Sequence, residues 1–436
     1  MKATNIMKQT SLFLAVLAVF VCRLSSACAA EIMTWQDCVN RTIKNNTDIK
    51  ASREQLESAK HLAKAAYSGF LPQISADFNV NRGNSYSFSQ LGGVPLNVPA
   101  GDNSTSSASI SLSQNIFSGF YDASLVDQGV ANTDLSSATL DATKVQVSFD
   151  LKSAFANLMY SQKYLQLTEK IIERRKENAE LVELHFEGGI ENKGSVMLAN
   201  ALLGQAKYDK IVARDSIDVS REQLARVLGV DSSTDIEISG GIPLAEPGAE
   251  PDYRQIAPET PKHRQSVAEE RVNEVGVTLA RSNFYPSLDL TGTVSAQGNN
   301  SFPNASRRSF MLNLSLPIFA GGKDYYDLKS AAAQYASSTF QRMSVDQQLQ
   351  PDLRKAFKNY SEAIEKLKVD KAFVEAAEVR AEIARSKYNN GLLSFEDWDI
   401  IENDLITKEK TYLLSERDRI LAEANWELAA GKGIVQ

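Results

Sequence analysis

Phe186-Glu187-Gly188-Gly189-Ile190 returns 202 residues later as Tyr388-Asn389-Asn390-Gly391-Leu392. Long helical patterns flank both stretches with no proline close by, so each reads as the tip of an antiparallel helical hairpin. Gly189 and Gly391 suit the turn, because glycine takes positive φ freely. Residues 120–185 and 323–388 form the outgoing helices, and 194–228 and 393–430 the returning ones. At about 1.5 Å per residue such an outgoing helix extends roughly 100 Å, the scale of a coiled-coil-like arm. Pro351, opposite Phe149 in the other arm, predicts a bend or a join between stacked helices.

The offset holds beyond the tips. Phe117 to Phe319, Gly119 to Gly321, Phe186 to Tyr388 and Gly189 to Gly391 are each 202 apart, so the two arms are equal in length. Pro72 to Pro286 is 214, which places twelve extra residues between the first helix and the first arm. This is internal duplication.

Upstream of the arms the period changes. Residues 34–68 predict a helix with Thr34 as N-cap, ended by Gly69 and Pro72. Then Ile74, Ala76, Phe78 and Val80 alternate with Ser75, Asp77, Asn79 and Asn81. A Gly/Ser/Asn/Pro-rich loop is expected over 83–107, after which alternation resumes through Ala108, Ile110, Leu112 and Ile116. The second half repeats this with a helix over 263–284 and strands around Leu288–Ala296 and Phe310–Leu316. Between the halves, 229–262 holds five of the twelve prolines and reads as a linker. The expected organisation is therefore a signal peptide over 1–30, a first repeat over 31–228, the linker or equatorial segment 229–262, and a second repeat with a C-terminal tail over 263–436.

The signal peptide rests on Lys2 and Lys8, the short apolar run Ser11 to Cys22, and the small residues Ala27-Cys28-Ala29-Ala30. The other reading is a lipoprotein signal with Cys28 acylated, against which Leu24 lies four residues before the cysteine. Without the leader, 44 basic residues face 54 acidic ones, a net of −10 that argues against nucleic acid as a partner. Cys38 is then the one cysteine left, so no intramolecular disulfide framework exists. No later run of eighteen apolar residues suggests a membrane helix.

Four strands of about ten residues, each with one apolar and one polar face, match membrane strands. A small soluble sheet covered by a helix would show the same alternation. Export and the scarcity of bulky apolar residues in the long helices favour the membrane. Four strands cannot close a barrel alone, and eight would leave no channel, so a conduit needs at least three copies.

At this point the chain resembles the TolC-like outer-membrane efflux and export channels over essentially its whole mature length. The resemblance rests on Thr34-Trp35-Gln36-Asp37-Cys38 through Asn45-Asn46-Thr47-Asp48-Ile49, and on Phe70-Leu71-Pro72 and Phe284-Tyr285-Pro286 before the strands. Asn115-Ile116-Phe117-Ser118-Gly119 and Leu316-Pro317-Ile318-Phe319-Ala320-Gly321-Gly322 look like the family's strand-to-helix elbows. It implies a mainly α chain with a membrane β segment: long antiparallel hairpins forming an α-barrel, and four transmembrane strands per chain in a trimeric 12-stranded β-barrel. It also implies a passive channel-tunnel without catalysis or cofactor, in the outer membrane with a large periplasmic part and in contact with outer-membrane lipid. Such a channel serves a periplasmic adaptor (membrane fusion) protein and an inner-membrane ABC or proton-driven pump, in multidrug efflux or type I secretion. The alternative is a periplasmic adaptor or coiled-coil scaffold of an export complex.

The hairpin tips are the expected adaptor contact, through Gly188, Gly189, Glu191, Lys193, Gly391 and Leu392. Asp397 matches an acidic pore residue of the family, with Asp399 its neighbour, and copies of either would ring a constriction and favour cations. Tyr388 matches a tyrosine of the family's closed-state network; the network's aspartate falls on Ser195, which can still hydrogen-bond, and its arginine on Leu393, which cannot, so the same ion-pair lock is not expected. A solvated helix face explains the acids equally well, and turn-making explains the glycines. His61, His185 and His263 are scattered without ligand spacing, so no metal site is expected. Trp35, Trp398 and Trp426 are expected to pack between helices.

Overall fold

The computed structural model describes residues 31–91, 94–231, 236–298 and 305–435. The signal peptide and Cys28 lie outside the described residues. The chain comprises two compact units. One contains 141–260 and 348–436 with the segment up to Ala51; the other contains Ser52–Leu140 and Pro261–Gln347.

The chain opens with β1 (Glu31–Met33), which pairs in parallel with β4 (Ile236–Ile238), so the linker supplies a strand. Helix α1 (Trp35–Asn45) starts on the expected Thr34 cap. The cap is a capping box: Asp37 N donates to Thr34 Oγ1 at 3.3 Å and Thr34 N donates to Asp37 Oδ2 at 3.0 Å.

The helix expected over 34–68 is not continuous. It breaks at Asn46 (φ −53°, ψ 128°), and α2 (Thr47–Ala66) and a 3₁₀ turn (Tyr67–Phe70) follow. The Asn46 side chain explains the break. Its Oδ1 accepts from Asp48 N and Ile49 N, both at 3.0 Å, and its Nδ2 donates to Val227 O at 2.8 Å. Val227 lies in the last turn of the helix Lys193–Leu228, whose C-cap Gly229 (φ 66°) presses so closely that a Cβ would stand 2.4 Å from Asn45 O.

Strands β2 (Gln73–Leu91), β3 (Val94–Phe117), β5 (Ser287–Gly298) and β6 (Ala305–Ser315) form one antiparallel sheet in the order β2-β3-β5-β6. Among the described residues, two edges, on β2 and β6, remain unpaired. The second pair has the expected length. The first pair is longer, because the segment read as a loop over 83–107 continues the ladder, with Gly83 opposite Asn103 and Gln90 opposite Pro95. Backbone pairing needs no apolar side chains, and Pro99 sits beside the register shift at Asn84/Tyr86, where a missing N–H is tolerated.

Each strand-to-helix elbow carries two successive left-handed residues, Gly119 (φ 63°) and Phe120 (φ 70°) in one repeat, Gly321 (φ 65°) and Gly322 (φ 86°) in the other. The elbows lead into α3 (Tyr121–Glu187) and α7 (Lys323–Asn389), both of 67 residues. Pro351 lies inside α7 without ending it, so the expected join is absent. Buried Leu349 and Leu353 on either side hold the helix there, and packing outweighs a cost of about 3 kcal/mol. The return helices are α4 (Lys193–Leu228) and α8 (Phe395–Ala429). In the linker, a short helix α5 (Tyr253–Ile256) and a 3₁₀ turn precede α6 (Pro261–Ser282). The tryptophans pack as expected: Trp35 edge-on against Phe155, Trp426 against Phe357, and Trp398 on Tyr388.

Replacing Asn46 with alanine removes a cap and leaves Val227 O unpaired. It should lower stability by about 2 kcal/mol, read as a drop in the thermal unfolding midpoint of the detergent-solubilised protein.

Candidate functional site at the hairpin tips

The two tips have the same backbone. Gly189 N donates to Phe186 O and Ile190 N to His185 O; Gly391 N donates to Tyr388 O and Leu392 N to Lys387 O. This is the Schellman closure of a helix, with a left-handed glycine (φ 72° at Gly189, 69° at Gly391) one step past the cap. A Cβ on either glycine would meet nothing within 4 Å, so the dihedral and not space demands glycine. The returning helices also start alike. Asn192 accepts from Ser195 N and Ser394 accepts from Asp397 N, each at 3.1 Å. Ser195 and Asp397 are thus equivalent third residues of α4 and α8.

Side chains break the symmetry. Phe186 and its counterpart Tyr388 occupy matching positions, yet Phe186 is exposed and Tyr388 is buried. Tyr388 stacks on Trp398 at 4.4 Å, and His185 from the first hairpin lies 4.9 Å from its ring. Phe395 closes the cluster, and Ala179, Val182, Ala199 and Ala384 leave room for the rings. All four long helices meet here. Burial, with Glu191 nearby, pushes the Tyr388 hydroxyl up to about 12, so it stays protonated at neutral pH. It finds no hydrogen-bond partner among the described residues, so the bond from Tyr388 to Ser195 that the resemblance left open is not made in the chain.

Asp397 is exposed. Its carboxylate accepts from the Ser394 hydroxyl at 2.7 Å, an arrangement that fits an acid in the first turn of a helix. Asp399 differs. Arg175, on α3 of the first hairpin, donates to Asp399 Oδ1 at 2.8 Å and to Asn403 Oδ1 at 2.6 Å, and Asn403 Nδ2 donates to Asp399 Oδ2 at 2.9 Å. The Asp399 charge is therefore neutralised inside the chain, against its expectation as a ring acid. Arg174 extends the seam to Glu409 at 2.5 Å, with Glu402 3.3 Å from its Nε but out of hydrogen-bond alignment. Arg385 reaches Glu177 at 2.6 Å from the other side. Lys193, Gly188, Gly189, Gly391 and Leu392 are exposed at the tips, Glu191 partly so.

The arginine seam leaves no local signal in the sequence, because 171–180 carries acidic and basic residues together within one long helix. Aligning the repeats offers the signal: Arg175 stands where the second repeat has Ala377, and Asp399 where the first has Met197. Among the described residues no group of three or more His, Cys, Asp or Glu side chains is placed to hold a metal ion.

The sequence pattern of the family described as "Outer membrane efflux protein" matches residues 38–230 and 253–432. The chain belongs to this family. Members are channel proteins, and the chain is a TolC-family protein of the outer membrane. It is 24% identical over 302 residues to the fusaric acid resistance protein FusA of Burkholderia cepacia, covering 66% of this chain and 55% of that protein. The chain thus spans little more than half of FusA. To the outer membrane protein TolC of Escherichia coli it is 21% identical over 385 residues, covering 81% of this chain and 73% of the other. The solved outer membrane protein VceC of Vibrio cholerae superposes with a TM-score of 0.77 at 17% identity, over 92% of this chain and 97% of that one. This efflux-family chain therefore shares their fold while its tip carries the Arg175–Asp399 seam.

Arg175→Met leaves the partly buried Asp399 carboxylate without its cation, with Asn403 still bonded to it, and should weaken the contact between hairpins by about 3 kcal/mol. Adding Asp399→Leu should restore most of it. Amide hydrogen exchange over the tips should rise markedly in the single variant and fall back in the double.

Proposed function

We infer that three copies of this chain form a passive channel-tunnel that carries substrates from an inner-membrane pump, through a periplasmic adaptor, across the outer membrane. The observation that carries this reading is the sheet with two open edges, β2 and β6, and a face of exposed Ile74, Phe78, Ile110, Phe310, Leu312 and Leu314. Lipid does not tolerate open edges, so β6 of one copy pairs with β2 of the next, and twelve strands enclose a water-filled lumen. The repeats 31–228 and 263–436 each supply two strands and one hairpin, and 229–262 packs at the equator. Kinship with a fusaric acid resistance protein supports small-molecule efflux; type I secretion uses the same duct.

The tips form the periplasmic mouth. Ile190 and Leu392, equivalent in the two repeats, are 70% and 75% exposed immediately after the closing glycines. Aliphatic side chains this exposed on both tips fit an adaptor contact, with Gly188, Gly189, Glu191, Lys193 and Gly391 shaping it. Asp397 supplies the acidic ring of the constriction. Tyr388 and Asp399 act in gating from inside the wall, through the aromatic cluster and the arginine seam, while Ser195 starts the returning helix beside them.

Purified protein should cross-link as a trimer and conduct in planar bilayers, and Asp397→Ala should reduce cation preference; a soluble monomer without conductance overturns the channel. Ile190→Asp with Leu392→Asp should leave conductance intact and abolish export in cells, measured as drug susceptibility. Undiminished export would remove the tips from the adaptor contact.

A further inference from the structure

The charged side chains described on the apolar face of the sheet are arginines. Register places Ala76, Ile110, Val294 and Arg308 side by side across the four strands, one row above Ile74, Leu112, Gly292 and Phe310. Up β6, the exposed column Leu314, Leu312, Phe310 ends at Arg308; up β2, Ile74, Ala76, Phe78, Val80 ends at Arg82. Of the acids in these strands whose side chains are described, Asp77 and Asp289 belong to the other face, where Asp289 accepts from Asn115 at 3.0 Å; Asp102 stands well up β3, opposite Asn84. Arg307 also alternates to that face. Arg308 is exposed, and no described residue pairs with it.

Beside Arg308 the apolar face is indented. Ala76, Phe78, Ala108, Ile110, Val294 and Ala296 line a dimple of about 410 Å³, with Ser306 at its rim. Register places Ala108 and Ala296 in one row with Phe78, and Ala76 in the row of Ile110, so small side chains stand beside large ones there. Exposed apolar residues on the Arg308 side run down to Ile318, ten residues away, which matches the nine to eleven residues of a membrane strand. Arg308 therefore ends the exposed apolar column of β6 on its loop side, and its long stem lets the guanidinium reach toward the headgroups.

We propose that this dimple and Arg308 form a site for a phosphorylated lipid of the outer leaflet, an acyl chain lying in the dimple and a phosphate on the guanidinium. The proposal rests on the channel reading above, since it needs this face in lipid with the hairpin loops outward. A guanidinium matches phosphate oxygens through two parallel donors, and the absence of acids on the described face leaves nothing to compete.

The test uses the full chain in phosphatidylcholine nanodiscs with bis-phosphorylated lipid A added, phosphatidylglycerol in a parallel arm, and bound lipid counted by native mass spectrometry. Wild type should retain lipid A, and Arg308→Gln should retain roughly ten-fold less. Arg307→Gln, on the opposite face, should retain it as wild type does, and Arg308→Lys should fall between. Equal retention by Arg308→Gln, or equal retention of dephosphorylated lipid A, overturns the proposal. Preference for phosphatidylglycerol overturns the outer-leaflet source. Bilayer conductance of the same samples separates the two readings: protein that never inserts defeats the channel, whereas conducting protein without lipid preference defeats this site alone.

Discussion

One backbone conformation sets the register of both hairpins: the left-handed glycine closing each outgoing helix, at Gly189 and at Gly391. It satisfies the last carbonyls of a 67-residue helix and reverses the chain within a few residues, so the returning helix starts at a defined height. A slip at either tip would displace a whole returning helix. The pairs Arg175–Asp399, Lys410–Asp209 and Lys163–Glu416 depend on that height, because each joins helices of different hairpins. The same offset of 202 residues governs the tips, the N-caps of the returning helices and the strand-to-helix elbows.

Within that register, the seam between hairpins uses charge where a bundle normally uses leucine. Arg175 is almost fully buried, and Lys152 lies 3.1 Å from Glu423 and 2.7 Å from Glu427, with Lys152 and Glu423 also buried. Desolvation makes such pairs weak net stabilisers, while breaking one costs about 3–5 kcal/mol. They therefore specify alignment more than they add stability. Burial raises the Glu427 carboxyl despite the lysine beside it. The C-terminal segment docks nearby, where Val435 N donates to Ser148 Oγ at 3.1 Å.

The repeats are equal in backbone and unequal in detail. At the first elbow a phenylalanine, Phe120, occupies the left-handed position that Gly322 fills in the second, a conformation that costs about 1–3 kcal/mol without glycine. Edge-on contacts with Phe117 and Tyr285 at 5.3 and 5.5 Å offset part of that cost. At the tip, Tyr388, Phe395 and Trp398 all come from the second repeat, and the first supplies small residues and His185. Duplication set the frame, and each copy then took a different part of the work.

The sequence by itself determined the duplication, the hairpin tips, the arms of equal length, the alternating strands and the family. These depend on local periodicity and on glycine, proline and capping residues, whose effects act within a few positions along the chain. The Thr34 cap and the turns at Gly189 and Gly391 were legible for that reason. Only the tertiary structure decided that Asn46 breaks the first helix by reaching Val227, that strands continue through the polar segment over 83–91 and 94–107, and that α7 runs through Pro351. It also decided that Asp399 is held by Arg175 while Asp397 stays open to solvent. Partners of this kind lie about 180 to 224 residues apart, and no local pattern records which of several similar charges a buried guanidinium will meet.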